Sequence, residues 1–348
     1  MNKNNFEDQD KKVFNEYCKG YKYFPLIMPA KSRIVVFGDI HGDYKLAITL
    51  LKIANLINEN NDWIGGQTYL VQVGDVLDNC RPTNNKKLDD CDNNSVKYDE
   101  PEDIKVFNLF TKLQTQAVKT DGAVLLLLGN HEIMNVQGNL TYVSKGDIDK
   151  FTNYDNYKNF NSGSEARKKA FSPGNEYSKI LACTRMPAVI IGNFLFVHAG
   201  LSQQFTNNLN IKSRKDLYKI NYNIKKWLLG LINKNNVVDI VNSSKYSLFW
   251  DRVLGGIPHN LHHKDPQCVK NLDTVLKLFQ VGSMVIGHTP QIFANSEGIN
   301  GTCSNKLWRV DFGGSFSFDK FDNVYDVTTQ RKPQVLEITN DKEIKILK

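Results

Sequence analysis

The stretch that most constrains this chain is Ile34 to Asp43, IVVFGDIHGD. Its apolar run, Ile34 to Phe37, reads as a buried strand. The chain then passes through Gly38 and delivers Asp39 and His41, two positions apart. Side chains alternate along an extended backbone, so this pair can point to one side. A hard carboxylate and an imidazole converging at a strand end suit a first-row divalent metal. Gly42 permits a turn, and Asp43 is placed to cap a helix whose apolar spacing runs from Leu46 to Ile57. One such stretch is a weak signal, and it becomes strong because it recurs.

Tyr69 to Val73 is a second apolar run, ending in Gly74-Asp75-Val76-Leu77-Asp78. With the intervening helix it makes a βαβ unit, which implies parallel neighbouring strands. After an amphipathic helix over Ile104 to Val118, Ala123 to Leu128 is continuously apolar, as a central parallel strand should be. It ends in Gly129-Asn130-His131-Glu132. Pro187 to Ile191 and Asn193 to Val197 read as strands joined at Gly192-Asn193, the second reaching His198-Ala199-Gly200. Ser283 to Ile286 reaches Gly287-His288-Thr289-Pro290. Ligands gather beyond the carboxyl ends of strands in open α/β sheets. Any one of these histidines has a bland reading as a core residue, and any one Gly-Asp as a turn. Five strand ends bearing Asp39 and His41, Asp75, Asn130 and His131, His198, and His288 point to a site.

The rest is less specific. Residues 135–182 are mixed and partly helical, and 212–232 are helical. Leu307 to Asp311, Val335 to Ile338 and Ile344 to Leu347 alternate like antiparallel strands. Residues 1–30 form an N-terminal extension, read as a segment packed across the outside or as a partner-docking arm. Residues 31–348 read as a single catalytic domain. The Asn- and Asp-rich stretch 79–101 is an inserted loop, either a substrate-facing lid or a floppy insertion.

A chain of 348 residues can bury a full core, and a net charge of +7, spread without a basic block, fits an anionic substrate but does not argue for nucleic acid. No apolar run is long enough to span a bilayer, and the charged start, Met1 to Lys12, is unlike a secretory leader. The expectation is a soluble, cytoplasmic protein with no membrane partner. Its six irregularly spaced cysteines are then reduced, although Cys80 and Cys91 would bridge in an oxidising compartment.

The series Gly38-Asp39-x-His41-Gly42, Gly74-Asp75-x-x-Asp78, Gly129-Asn130-His131-Glu132, His198-Ala199-Gly200 and Gly287-His288 resembles the calcineurin-like metallophosphoesterases. The Asn-His-Glu form and Gly287-His288-Thr289-Pro290 are similar to the phosphoprotein phosphatases. The stretch His131-Glu132-Ile133-Met134-Asn135-Val136 through Tyr142-Val143, with Phe196 to Leu201 and Val285 to Gln291, is similar to the Shewanella-like protein phosphatases. The resemblance spans about residues 33–320.

It implies an α/β fold, a four-layer α/β/β/α sandwich with two mixed sheets. It implies two divalent metal ions, one held by Asp39, His41 and bridging Asp75, the other by Asp75, Asn130, His198 and His288. Mixed nitrogen and oxygen ligands without thiolate suit Mn, Fe or Zn. It further implies a phosphomonoesterase acting on phosphoserine/phosphothreonine or phosphotyrosine in proteins, or on small phosphomonoesters, by direct attack of a hydroxide bridging the metals. His131 would be the general acid, oriented by Asp78, and Asp311 a supporting residue. Arg252 resembles a phosphate-binding arginine. Arg81 stands two positions later than the family's arginine after Asp78 and is a second candidate. Two other readings stay open: a phosphodiesterase or dinucleoside-polyphosphate hydrolase, and a non-catalytic binding scaffold. Regulatory subunits cannot be read from the sequence.

Overall fold

Apolar runs bounded by glycine and polar turns build the strands of the computed structural model, which describes residues 5–81, 102–152, 159–322 and 331–348. In chain order they are β1 (Ile27–Met28), β2 (Arg33–Phe37), β3 (Tyr69–Gln72), β4 (Ala123–Leu127), β5 (Arg185–Met186) and β6 (Ala188–Ile191). Then come β7 (Phe194–Val197), β8 (Ser283–Ile286), β9 (Asn300–Thr302), β10 (Leu307–Arg309), β11 (Val335–Thr339) and β12 (Glu343–Leu347).

One six-stranded sheet has the order β12-β11-β2-β3-β4-β5. Strands β2 to β5 run parallel, and β11 is antiparallel to both β2 and β12. All five residues of β4 are buried, as its unbroken apolar sequence requires. The second six-stranded sheet has the order β1-β6-β7-β8-β10-β9. It mixes antiparallel β6–β7 and β10–β9 pairs with parallel β7–β8 and β8–β10 pairs. A continuous hydrophobic cluster takes Val35, Val71 and Leu125 from one sheet and Val189, Phe196 and Val285 from the other. Two mixed sheets with helices make the expected α/β sandwich.

Several boundaries differ from the sequence reading. The helix after Asp43 runs Tyr44–Ile53, not to Ile57. Asn55 takes the left-handed conformation, φ 53°, and the Leu56 N–H returns to the Leu51 carbonyl at 2.9 Å. That paired closure ends a helix. Between 212 and 232 the α-helix is Leu217–Leu228, after a 3-10 turn at Arg214–Asp216. The strand expected over Leu307 to Asp311 ends at Arg309 and runs parallel to β8, because β9 fills its antiparallel side.

The segment 1–30 contributes a helix, Phe6–Tyr17, and β1, which hydrogen-bonds beside β6. That helix buries Asp10 against the helix Leu217–Leu228, where its carboxylate accepts from Lys225 Nζ at 2.6 Å and from Asn221. The expectation of reduced thiols is overturned. Cys18 is bridged to Cys183 and Cys268 to Cys303, and Cys80 is disulfide-bonded as well. Such bonds persist in oxidising surroundings, which counts against the cytoplasmic expectation from which reduced thiols followed. Cys91, and the insertion beyond Arg81, lie outside the described residues. Among the described residues no helix is long and apolar enough to cross a membrane.

Candidate metal centre

The six expected ligands arrive just beyond strands of both sheets, five of them in turns and loops and Asn130 as the first residue of the helix Asn130–Val136. Asp39 and His41 follow β2, Asp75 follows β3, Asn130 follows β4, His198 follows β7, and His288 follows β8. His41, Asp75, Asp78 and His288 have φ of 50°, 55°, 68° and 65°. Left-handed backbone at side-chain-bearing residues costs on the order of 1 kcal/mol each and persists where surroundings enforce it. Glu132 does much of that enforcing. Its carboxylate accepts from the N–H groups of Gly129 (2.7 Å), Asp75 (2.9 Å), Val76 (2.9 Å) and Leu77 (3.2 Å), locking the turn after β3 to the turn after β4. Two glycines permit the close approach. A Cβ on Gly129 would collide with Asp75 Oδ1, and one on Gly287 with Asp39 Oδ1.

The ligand atoms form two groups that share Asp75. Those of His41, Asp75 and His131 all lie within 4.8 Å of one another, as do those of Asp75, His198 and His288. Asp39 is outside these tight groups, although its Oδ2 is 3.8 Å from His41 Nε2. Both its oxygens accept from the His288 N–H at 3.1 Å. The Asn130 amide atom facing the site is 2.8 Å from His288 Nδ1, 3.0 Å from His198 Nε2 and 3.2 Å from Asp75 Oδ2.

Those contacts test whether cations fit. His41 Nδ1 is 3.2 Å from the Leu77 carbonyl, and His198 Nδ1 is 2.9 Å from the Val73 carbonyl. A carbonyl can only accept, so each Nδ1 carries the proton and each Nε2 lone pair faces the site. With the amide oxygen of Asn130 turned inward, acceptors converge with no donor among them, and a cation relieves such a cluster. Burial, then Arg81 and His131, push His41 well below its ordinary pKa; burial, then Arg252, do the same to His288. Both are therefore neutral imidazoles, the form that binds metals. The residues fit a pair of divalent ions.

Beside the ligands, His131 Nδ1 is 2.8 Å from Asp78 Oδ2. Asp78 Oδ1 accepts from Asn135 Nδ2 at 2.8 Å, and His131 Nε2 lies 3.8 Å from Asp75 Oδ2. A cavity of about 390 Å³ opens over His41, Asp75, Asn130, His131 and His288. Arg81 and Arg252 line it, together with Tyr142, Trp250, Phe293, Phe318 and Phe321. Arg81 Nη1 donates to the carbonyls of Asp78 (3.0 Å) and Cys80 (2.7 Å), and its guanidinium lies 4.9 Å from the Phe318 ring centre. Arg252 Nη1 donates to the His288 carbonyl at 3.1 Å. Asp311 is not among the residues that line this cavity. Its buried carboxyl is pushed up to about 7 by burial and takes the Gly313 N–H at 2.9 Å.

Sequence reasoning gave no role to Glu132, Asn135 or the aromatic wall. Glu132 had a signal, since an acid in a helix's first turn beside two strand ends is well placed to accept several N–H groups. Phe318 and Phe321 had none, because their 3-10 turn, Phe316–Phe321, reaches the site from the far end of the chain.

A family model described as "Calcineurin-like phosphoesterase" matches residues 32–291. An uncharacterized protein of Acanthamoeba polyphaga mimivirus is 38% identical, over 68% of this chain and 97% of that protein. Shewanella-like protein phosphatase 2 of Arabidopsis thaliana is 26% identical, over 91% of this chain and 77% of that protein. Among solved structures, a cold-active protein tyrosine phosphatase superposes with a TM-score of 0.66 at 22% identity, covering 94% of this chain and 81% of that one, and so shares its fold.

Proposed function

Because the chain belongs to the calcineurin-like phosphoesterase family, we propose that it is a metal-dependent phosphomonoesterase acting on phosphorylated proteins, with a preference for aryl phosphates such as phosphotyrosine. The observation that carries this reading is two acceptor groups sharing Asp75 on the floor of a cavity walled by aromatic rings and two arginines. Protein as substrate is supported by the name of the Arabidopsis thaliana relative, Shewanella-like protein phosphatase 2.

Asp39, His41 and Asp75 would hold one ion, and Asp75, Asn130, His198 and His288 the other. When bound, such a pair neutralises phosphoryl oxygens and makes a water acidic enough to be a nucleophile at neutral pH. Arg252 and Arg81 bind the phosphate, since planar guanidinium forks match its oxygens. Asp78 holds the Nδ1 proton of His131, which leaves Nε2 to carry a proton to the departing oxygen. Tyr142, Trp250, Phe293, Phe318 and Phe321 flank the leaving group. An aryl ring gains face and edge contacts there that a serine methylene cannot make.

The test is a turnover panel with Mn²⁺: p-nitrophenyl phosphate, bis-p-nitrophenyl phosphate, and matched phosphotyrosine and phosphoserine peptides. The expected order puts monoester over diester by at least about 100-fold and phosphotyrosine over phosphoserine by about 10-fold, the discrimination pocket contacts supply. A preference for the diester overturns the monoesterase reading. A preference for phosphoserine overturns the aryl preference alone.

A further inference from the structure

Behind Asp78, on the side away from the cavity, sits a buried guanidinium that the proposed reaction does not use. Arg167, on the helix Gly163–Phe171, is completely buried. Its Nη1 and Nη2 donate to the two oxygens of Asp103 at 3.3 and 2.6 Å, the paired geometry a guanidinium favours. Its Nε donates to Asn135 Oδ1 at 2.8 Å, and its Nη2 stands 3.6 Å from Asp78 Oδ1. The rings of Phe151 and Phe171 lie 5.3 and 5.1 Å away. Asn135 carries the connection forward. Its Nδ2 donates to Asp78 Oδ1 at 2.8 Å and to the His131 carbonyl at 2.9 Å.

Three carboxyls, Asp78, Asp103 and Asp147, are buried around this one cation. Burial, then Asp103, push Asp147 well above the usual range, so it keeps its proton. Burial works against a charge on Asp103, but Arg167 holds it ionised. The Asp78 N–H reaches Asp103 Oδ2 at 3.5 Å, so the two carboxylates are neighbours that would repel without the guanidinium between them.

We propose that Arg167 is a positioning residue for the phosphatase reaction: it fixes Asp78, directly and through Asn135, and so holds the His131 imidazole with Nε2 turned toward the cavity. This rests on His131 being the proton donor to the leaving oxygen. A donor matters little when the leaving group is already acidic and greatly when it is not. Phenyl phosphate and 2,4-dinitrophenyl phosphate therefore separate a misplaced donor from a generally damaged enzyme.

In the metal-loaded full chain, Arg167→Lys keeps the cation but loses the fork. Its kcat on phenyl phosphate falls about 10-fold, with a change under about 2-fold on the dinitrophenyl ester and an unchanged KM. The double variant Arg167→Met/Asp103→Asn removes one charge of each sign and falls about 100-fold on phenyl phosphate alone. In both, the downfield Nδ1 proton resonance of His131, assigned by its loss in His131→Asn, shifts or disappears. If the double variant does not fold, Arg167→Lys decides. Equal losses on both esters, or an unchanged resonance, overturn the proposal. If His131→Asn itself loses equally on both esters, the donor reading falls and takes this proposal with it.

Discussion

Two groups of buried carboxylates meet at the His131–Asp78 pair, and their compensating charge comes from different places. On the cavity side, Asp39 and Asp75 lie among imidazoles and an amide, with no Lys or Arg in ion-pair contact among the described residues. On the far side, Asp103 and Asp78 close around Arg167, and Asp147 stays neutral. Burying a carboxylate is expensive unless it is paired or protonated. The far group carries its cation in the chain, whereas the near group is built to take one from solution. Residue type alone does not distinguish them, for both are aspartate clusters at strand or helix ends. The difference lies in which lone pairs are left without a donor.

The largest test of that contrast is Asp75→Asn. Losing the shared carboxylate should empty the near group of metal by elemental analysis and cut turnover on the order of 10³-fold, the scale of removing a principal electrostatic contact at the reacting centre. Full retention of both ions would break the comparison. Next is Arg167→Met, which leaves Asp78 and Asp103 buried without a cation. It should cost about 3–5 kcal/mol in denaturant unfolding, the usual result of stranding one half of a buried pair. Adding Asp103→Asn should recover most of that loss. Failure to recover would mean that Arg167 stabilises by packing between Phe151 and Phe171 and not by charge.

The near group was legible in the sequence and the far group was not, for one reason. Asp39, His41, Asp75, Asn130, His198 and His288 each come within a few residues of the end of an apolar run, so the local pattern announces every one separately. The far group exists only through contacts across the chain, between Asp78 and Asn135 at a separation of 57 and between Asp103 and Arg167 at a separation of 64. Arg167 sits in a stretch read as mixed, and its helix repeats Glu, Arg and Lys like a solvated face. The Cys18–Cys183 bond, 165 residues apart, was hidden in the same way. Strands β2, β3 and β4 were plain because central parallel strands are largely apolar. Two-residue β1 and β5 carry too little sequence to show a period. Arg81 was named as a candidate on sequence, but only the fold turns it back along its own backbone into the cavity.

The smallest expected effect probes how the far group balances its charge. Asp147 has its folded pKa raised, first by burial and then by Asp103. A carboxyl of this kind contributes stability that is fully present below its unfolded pKa and is lost as pH rises through the folded one. Asp147→Asn mimics the protonated form: its amide can still donate to Asp103, and its oxygen can still accept from Ser144, which lies 3.2 Å from Asp147 Oδ2. The variant has no proton to lose, so this part of its stability should not fall as pH climbs above the ordinary carboxylate range. It should match the unmodified chain near pH 4 and exceed it at pH 8 by on the order of 1 kcal/mol, with turnover unchanged. Paired urea titrations across that range measure the gap. A gap independent of pH, or a variant less stable at pH 8, would mean that Asp147 is ionised and that Arg167 balances three negative charges instead of two.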